Sequence, residues 1–243
     1  MLEILYPRRC AVCDEIEVTG KGICPLCKDK VHVAGEPACK KCGKPLVDER
    51  KEFCTDCGKK HHVYTQGKAV FVYEGGIRNS MYRFKYGNKR EYAEFYANAA
   101  VEKYGVWLNK IKAEVLIPIP MYSRKKRLRG YNQAEYLAEG IAGALHAEVD
   151  GRSVVRSTYN RSQTAAQARD ERWENVRGIF SVRRPERLAG RHVLLVDDVL
   201  TTGATLVACG ETILRAVPDC RISIAALAVS AYELFGGRGK GGL

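Results

Sequence analysis

The rhythm of apolar and polar positions changes near residue 63. Up to that point apolar residues are sparse and follow no period, and cysteines, glycines and charges interrupt every run. Beyond it, strand-like and helix-like stretches alternate. Residues 68–73, rich in β-branched and aromatic side chains, predict a strand ended by Gly75-Gly76. Helices are predicted at about 77–86 and 90–110, and residues 114–120 predict a buried strand that stops at its prolines. Ala134, Leu137, Ala138, Ile141, Ala142 and Leu145 recur at helical spacing, with Asn132 as N-cap and Glu135 three residues on to complete a capping box. A short strand at 178–182, a strong one at 192–196, a helix at 203–216 and a last strand at 222–229 follow. Strands alternating with helices predict an α/β body built on a mainly parallel sheet, with ligands bound at the carboxyl ends of its strands. The pattern divides the chain into a head (1–62), a body (63–235) and a flexible, Gly-rich tail (236–243).

Composition agrees with a folded chain: 46% of the 243 residues are hydrophobic and 28% charged, enough apolar material for a core. No apolar run approaches the ~20 residues needed to span a bilayer. The first residues are too few and too acidic for a secretory leader, so a cytoplasmic protein is expected. The formal charge of +12 is uneven. The head holds 12 basic and 10 acidic residues, which leaves 28 and 18 for the remainder. A basic excess in one segment suggests an anionic partner, although scattered charge can serve solubility alone.

Eight of the ten cysteines form four Cys-x-x-Cys pairs: Cys10/Cys13, Cys24/Cys27, Cys39/Cys42 and Cys54/Cys57. Two thiolates on one tight turn face a single ion, and two such turns complete a tetrahedron around zinc. Asp14, Gly43 and Gly58 follow the second cysteine of three pairs, where such a turn favours a left-handed backbone. A disulfide framework would need an oxidising compartment, and a redox motif would need one pair beside a βαβ unit; neither suits four evenly spaced pairs. Two closed, structural Zn²⁺ sites are expected. Consecutive pairing is the simplest arrangement, but spacing also permits nested pairing. Cys209 and Cys220 fit no ligand spacing and are expected to be small buried side chains.

The most informative stretch is Val193-Leu194-Leu195-Val196-Asp197-Asp198-Val199-Leu200-Thr201-Thr202-Gly203-Ala204-Thr205. A buried strand brings two carboxylates to its carboxyl edge, and a hydroxyl-rich turn opens a helix. Free N–H groups at that helix start, with Thr hydroxyls beside them and Gly203 allowing close approach, make an anion cradle. Adjacent carboxylates suit sugar hydroxyls and a phosphate-bound Mg²⁺. The Gly-Lys-Ser/Thr of a Walker loop is absent.

This stretch resembles the phosphoribosyl-pyrophosphate signature of type I phosphoribosyltransferases. With the cysteine head, Pro118-Ile119-Pro120 and the run Arg129-Gly130-Tyr131-Asn132-Gln133, the chain resembles the ComF family almost end to end. That resemblance implies a double zinc ribbon joined to a phosphoribosyltransferase-like sheet with helices on both faces. It also implies a role in DNA uptake during natural competence. Asp197 and Asp198 would hold the ribose hydroxyls, directly or through Mg²⁺, and Thr201, Thr202, Gly203, Ala204 and Thr205 would cradle the 5′-phosphate. Ser123, Arg124 and Lys85 would face the pyrophosphate. Thr164, Gln167, Arg172 and Asn175 match a further family pattern, where transferases of this fold keep a mobile loop.

Arg124, Lys125, Lys126, Arg127 and Arg129 crowd five cations into one loop flanked by Tyr122 and Tyr131. One diphosphate needs fewer. Lys125, Lys126, Arg127 and Arg129 could instead follow a single-stranded DNA backbone with the tyrosines stacking on bases, or form a solvated loop only. Two functions follow. One is a Mg²⁺-dependent phosphoribosyltransferase. The other is a non-catalytic module, binding single-stranded DNA beside a helicase and recombination proteins or sensing a nucleotide.

Overall fold

The computed structural model of the chain describes residues 7–59, 62–157 and 178–230. The mobile-loop candidates Thr164, Gln167, Arg172 and Asn175, and the tail 236–243, lie outside the described residues.

In the head the cysteine pairs combine consecutively. The Sγ atoms of Cys10, Cys13, Cys24 and Cys27 form one group and those of Cys39, Cys42, Cys54 and Cys57 another, each within 4.8 Å. Nested pairing is thereby excluded. Asp14 and Gly43 take the expected left-handed conformation, at φ 68° and 74°. Gly58 does not, because it and Cys57 lie on a short helix, α1 (Thr55–Lys59).

The body follows as β1 (Gly67–Val72), α2 (Gly75–Tyr86), α3 (Tyr92–Ile111), β2 (Val115–Pro118), α4 (Ser123–Arg129), α5 (Gln133–Leu145), β3 (Glu148–Val149), β4 (Val154–Arg156), β5 (Phe180–Val182), β6 (His192–Leu200), α6 (Ala204–Ala216) and β7 (Arg221–Val229). Five parallel strands form one sheet in the order β1-β7-β6-β2-β3. β4 and β5 form a separate antiparallel pair. Chain order reverses between β2 and β6, so the crevice beyond their carboxyl ends is the place where such a sheet receives a ligand.

Both faces of the sheet are covered, which is why its strands read as continuous apolar runs. Leu116, Leu194, Val196 and Leu227 meet Tyr96, Phe84, Leu137 and Ile141 from α2, α3 and α5. On the other face Val115, Ile117, Val193, Leu195 and Ile224 meet Leu206, Val207 and Ile213 of α6, in one cluster with Cys39, Cys42, Leu46 and Cys54. The second ribbon is thus part of the body's core. Residues 32–34 also run antiparallel along the outer edge of β1, with Ala34 N–H donating to the Val70 carbonyl (2.9 Å) and Val72 N–H to His32 (2.8 Å). This covers an open sheet edge. Cys209 and Cys220 are buried, as expected.

Three expectations change. The capping box is incomplete: Asn132 Oδ1 accepts from Ala134 N–H, but the Glu135 carboxylate turns to Lys126 Nζ at 2.7 Å. The basic loop is the helix α4. β6 runs four residues further than expected, through Leu200, because β7 continues to pair with it as far as Val229. Among the described residues no helix is long and apolar enough to cross a membrane.

Gly43 marks how closely head and body fit. A Cβ there would lie 2.8 Å from Lys68 Cα and 2.9 Å from the Gly67 carbonyl oxygen. Both are backbone atoms, and the φ is left-handed. Gly43→Ala should therefore cost about 2–4 kcal/mol of stability, a loss that chemical denaturation would measure.

Candidate functional site

β2 ends where Pro118 faces Val196, and Ile119 N–H makes the last bond to the Val196 carbonyl (2.8 Å). Pro120 has no N–H to continue the ladder. β6 therefore emerges past its neighbour, and the next two residues are Asp197 and Asp198. Asp198 N–H donates to Asp197 Oδ1 at 2.8 Å. Beyond Leu200 the chain turns through Thr201 and Thr202 into Gly203, at φ 79°, which starts α6. Thr202 Oγ1 accepts from Ala204 N–H at 3.4 Å. The first N–H groups of a helix lack intrahelical partners and favour an anion.

Three cations converge on the paired acids from three elements. Lys85, in the last turn of α2, places Nζ 2.8 Å from Asp198 Oδ2. Burial opposes its charge, yet the Asp198 carboxylate more than offsets this and raises its pKa. Arg156, the last residue of β4, lies in the field of Asp197, with its guanidinium 5.9 Å above the Phe180 ring and Nε buried without a hydrogen-bond partner. Burial lowers its pKa. Lys125 of α4 is half-buried and lowered first by burial, then by Arg129, Arg156 and Lys85. Burial and then the Asp198 carboxylate push Asp197 up to about 7. Lys85 is paired with Asp198, and the repulsion among Lys125, Arg156 and Lys85 would be relieved by an anion beside them.

The run 129–133 sets this geometry. Tyr131 Oη and Gln133 Nε2 both donate to the Phe84 carbonyl, tethering the end of α2 and with it Lys85. Gly130, at φ 86°, closes α4, and Arg129 Nη1 donates to Gln133 Oε1 at 2.8 Å. Tyr131 is thus buried under the Arg90 guanidinium and unable to stack on a base. Tyr82 and Tyr86 are exposed instead, with rings 5.0 Å apart and the Arg129 guanidinium 4.8 Å above Tyr86. Ser123 is the first residue of α4 and follows Tyr122; Arg124, Lys126 and Arg127 share that helix. Sequence reasoning missed Arg156 and the Tyr82–Tyr86 pair. Nothing beside Arg156 in the chain marks it, because an antiparallel strand outside the main sheet brings it to the crevice. The tyrosines sit four apart on α2, a spacing that could have been read as one helix face.

The two cysteine groups fit zinc. The tetrahedral edge for Zn–S bonds of about 2.3 Å is about 3.8 Å, and Cys13–Cys24 and Cys42–Cys54 Sγ separations are 3.8 and 3.7 Å. Val12 and Cys24 N–H groups point at Cys10 Sγ, as second-layer donors to a thiolate do. All four ligands of each ion come from the chain, so both zinc sites are closed and structural.

The family described as "Double zinc ribbon domain" matches residues 1–58, and "Phosphoribosyl transferase domain" matches residues 132–234. The chain is 32% identical over 100 residues to the DNA utilization protein YhgH of Escherichia coli O157:H7, covering 41% of this chain and 43% of that protein. It is 28% identical over 144 residues to Competence protein ComFC of Bacillus subtilis, covering 58% and 55%. The matched stretches span roughly half the length of these relatives. Among solved structures, adenine phosphoribosyltransferase from Leishmania tarentolae shares 15% identity at a TM-score of 0.36, over 64% of this chain and 67% of that one, too distant a likeness to carry inference. A double zinc ribbon followed by a phosphoribosyl transferase domain, in a chain similar to relatives named Competence protein F, Competence protein ComFC and YhgH, supports a ComF-family protein.

Proposed function

We propose that the chain binds 5-phosphoribosyl 1-pyrophosphate with Mg²⁺ in the crevice between β2 and β6, and that it does so in the handling of DNA taken up by the cell. The observation that carries this reading is the placement of Asp197 and Asp198 at the open end of β6, between an anion-binding turn and a cluster of cations. Thr201–Thr205 would receive the 5′-phosphate and the two carboxylates the ribose hydroxyls. Lys85, Lys125, Arg156 and the segment around Ser123–Arg124 would face the pyrophosphate. Asp197 and Asp198 offer the hard oxygen ligands that Mg²⁺ takes. When bound, the ion would neutralise charge on the pyrophosphate. The cations would stabilise the charge that develops on the departing oxygens, and no protein nucleophile is needed. The name of one relative, DNA utilization protein YhgH, supports work on DNA, and a cytoplasmic place of action is part of the same proposal. Calorimetric titration of the ligand with and without Mg²⁺ tests the reading; absence of heat in both would reject it.

Two results are expected of this site. Arg156→Gln should weaken the pyrophosphate-bearing sugar about tenfold or more while leaving ribose 5-phosphate nearly unchanged, because its charge faces the departing group. Affinity should also rise with pH up to about 7, at most about tenfold per unit, since the ligand needs Asp197 ionised. The sign for folding is opposite: an acid raised from 3.8 to about 7 favours the folded state at low pH, and that contribution is lost as pH rises between those values. Equal affinity at pH 6 and 8 would place the proton elsewhere.

A second reading, single-stranded DNA binding, is favoured by the exposed Tyr82–Tyr86 pair under Arg129 and by the cations of α4. Such a surface combines base stacking with phosphate contacts, so binding should weaken steeply with salt.

A further inference from the structure

We infer that Lys44, carried by the second zinc ribbon, is a positioning residue for the phosphate loop. The inference rests on the reading that Thr201–Thr205 receives a phosphate, and it deepens that reading by making the ribbon part of the anion site. Lys44 lies two residues after the ligand Cys42, beyond the left-handed Gly43, and its side chain is 3% exposed. Nζ lies 2.7 Å from Asp56 Oδ2 and donates to the Thr201 carbonyl at 3.2 Å. A buried ammonium is costly unless fully partnered. Four thiolates complete the zinc site, so the metal does not need it. The lysine spans from α1 in the ribbon to the first residue of the loop.

The trans peptide explains what that bond does. With the Thr201 carbonyl drawn to Lys44, the N–H of Thr202 must point the opposite way, away from the ribbon. A charged donor on the carbonyl also polarises the same peptide and strengthens its N–H as a donor to an anion. The loop is backed on this side by the chain leaving the ribbon: a Cβ on Gly203 would lie 3.6 Å from Tyr64 Oη and 3.9 Å from His62 Cε1. Leu200, Leu206 and Val207, on either side of the loop, share a buried cluster with Cys39, Cys42 and Cys54. A zinc ion with four thiolates carries about −2 charge, which would repel a phosphate. Burial opposes the Lys44 charge, and Asp56 first, then Cys54 and Cys42, hold it on, so a cation sits in that field against the loop.

The test separates the two ends of the ligand. In the full chain, Lys44→Met should keep two zinc ions and lose at least tenfold in affinity for ribose 5-phosphate, while inorganic pyrophosphate, held by the cations across the crevice, changes less than twofold. Lys44→Arg should recover part of the loss. If Lys44→Met does not fold, Lys44→Gln, which keeps a donor for the carbonyl without the charge, should show the same split. Equal loss of both probes means general destabilisation and overturns the inference, as does unchanged ribose 5-phosphate binding in a variant. Failure of the unaltered chain to bind ribose 5-phosphate overturns the reading of the loop itself, and the role of Lys44 with it.

Discussion

Cys42→Ser should remove the second zinc ion and lower the thermal stability of the whole chain, not of the head alone. Zinc binding by a small ribbon contributes on the order of 10 kcal/mol of folding free energy. A head with so few apolar residues has little else to hold it. Read in isolation, the head should unfold first on chelation, leaving the body intact. The packing changes that expectation, because Cys39, Cys42 and Cys54 are buried in one cluster with Leu195, Ile224, Leu206 and Val207 of the sheet and α6. Loss of the metal would expose that face of the body. We expect metal analysis to show one zinc per chain instead of two, with the melting transition lowered by about 10 °C or more for a destabilisation of several kcal/mol. A melting temperature unchanged after the second zinc has gone would show that the body does not depend on the ribbon. The first site is more open, with Cys13 and Cys24 only partly buried, so a chelator should empty it first.

Asp197→Asn with Asp198→Asn should reduce affinity for the Mg²⁺-bound sugar pyrophosphate at least a hundredfold. Both carboxylates supply charge that a carboxamide cannot, and together they would hold the metal and two hydroxyls. The two positions should differ in what they do to folding. Asp198 partners Lys85, and both side chains are less than a fifth exposed. Asp198→Ala would leave a buried ammonium without its acid, at a cost of up to about 3 kcal/mol. Asp197 is held under strain of the opposite kind, since burial and its neighbour disfavour its charge. Asp197→Asn should therefore leave stability unchanged or raise it slightly near pH 8, while still losing the ligand. Denaturation and calorimetry on the two single variants separate these effects. Full ligand affinity in the double variant would mean that the crevice at β6 is not where the sugar sits.

Much of the fold could be read from periodicity because buried parallel strands need apolar side chains on both faces, and their helices need one apolar stripe. β1, β2, β6 and β7 and the helices α2, α3, α5 and α6 were legible for that reason. β3 and β4 were not, being two and three residues long with little periodicity to show. The basic run looked like a loop because charge hides helical phase: α4 has no buried side chain to mark a face. Tyr131 looked available for stacking because an aromatic beside cations reads the same whether its ring faces solvent or the end of α2.

What the residues determined alone is chemistry that depends on local spacing. Two thiols three residues apart on a knuckle bind one metal, and a strand that ends in two acids and a hydroxyl-rich turn presents them together, whatever surrounds them. What only the tertiary structure decided depends on distant segments meeting. It paired the cysteines consecutively, brought Arg156 from a separate small sheet into the field of Asp197, and set Lys44 of the ribbon against the carbonyl of Thr201. Residues 44 and 201 are joined by no pattern in the chain. They meet because the ribbon and α6 bury the same face of the sheet, and a buried ammonium must find its acceptors wherever the packing places them.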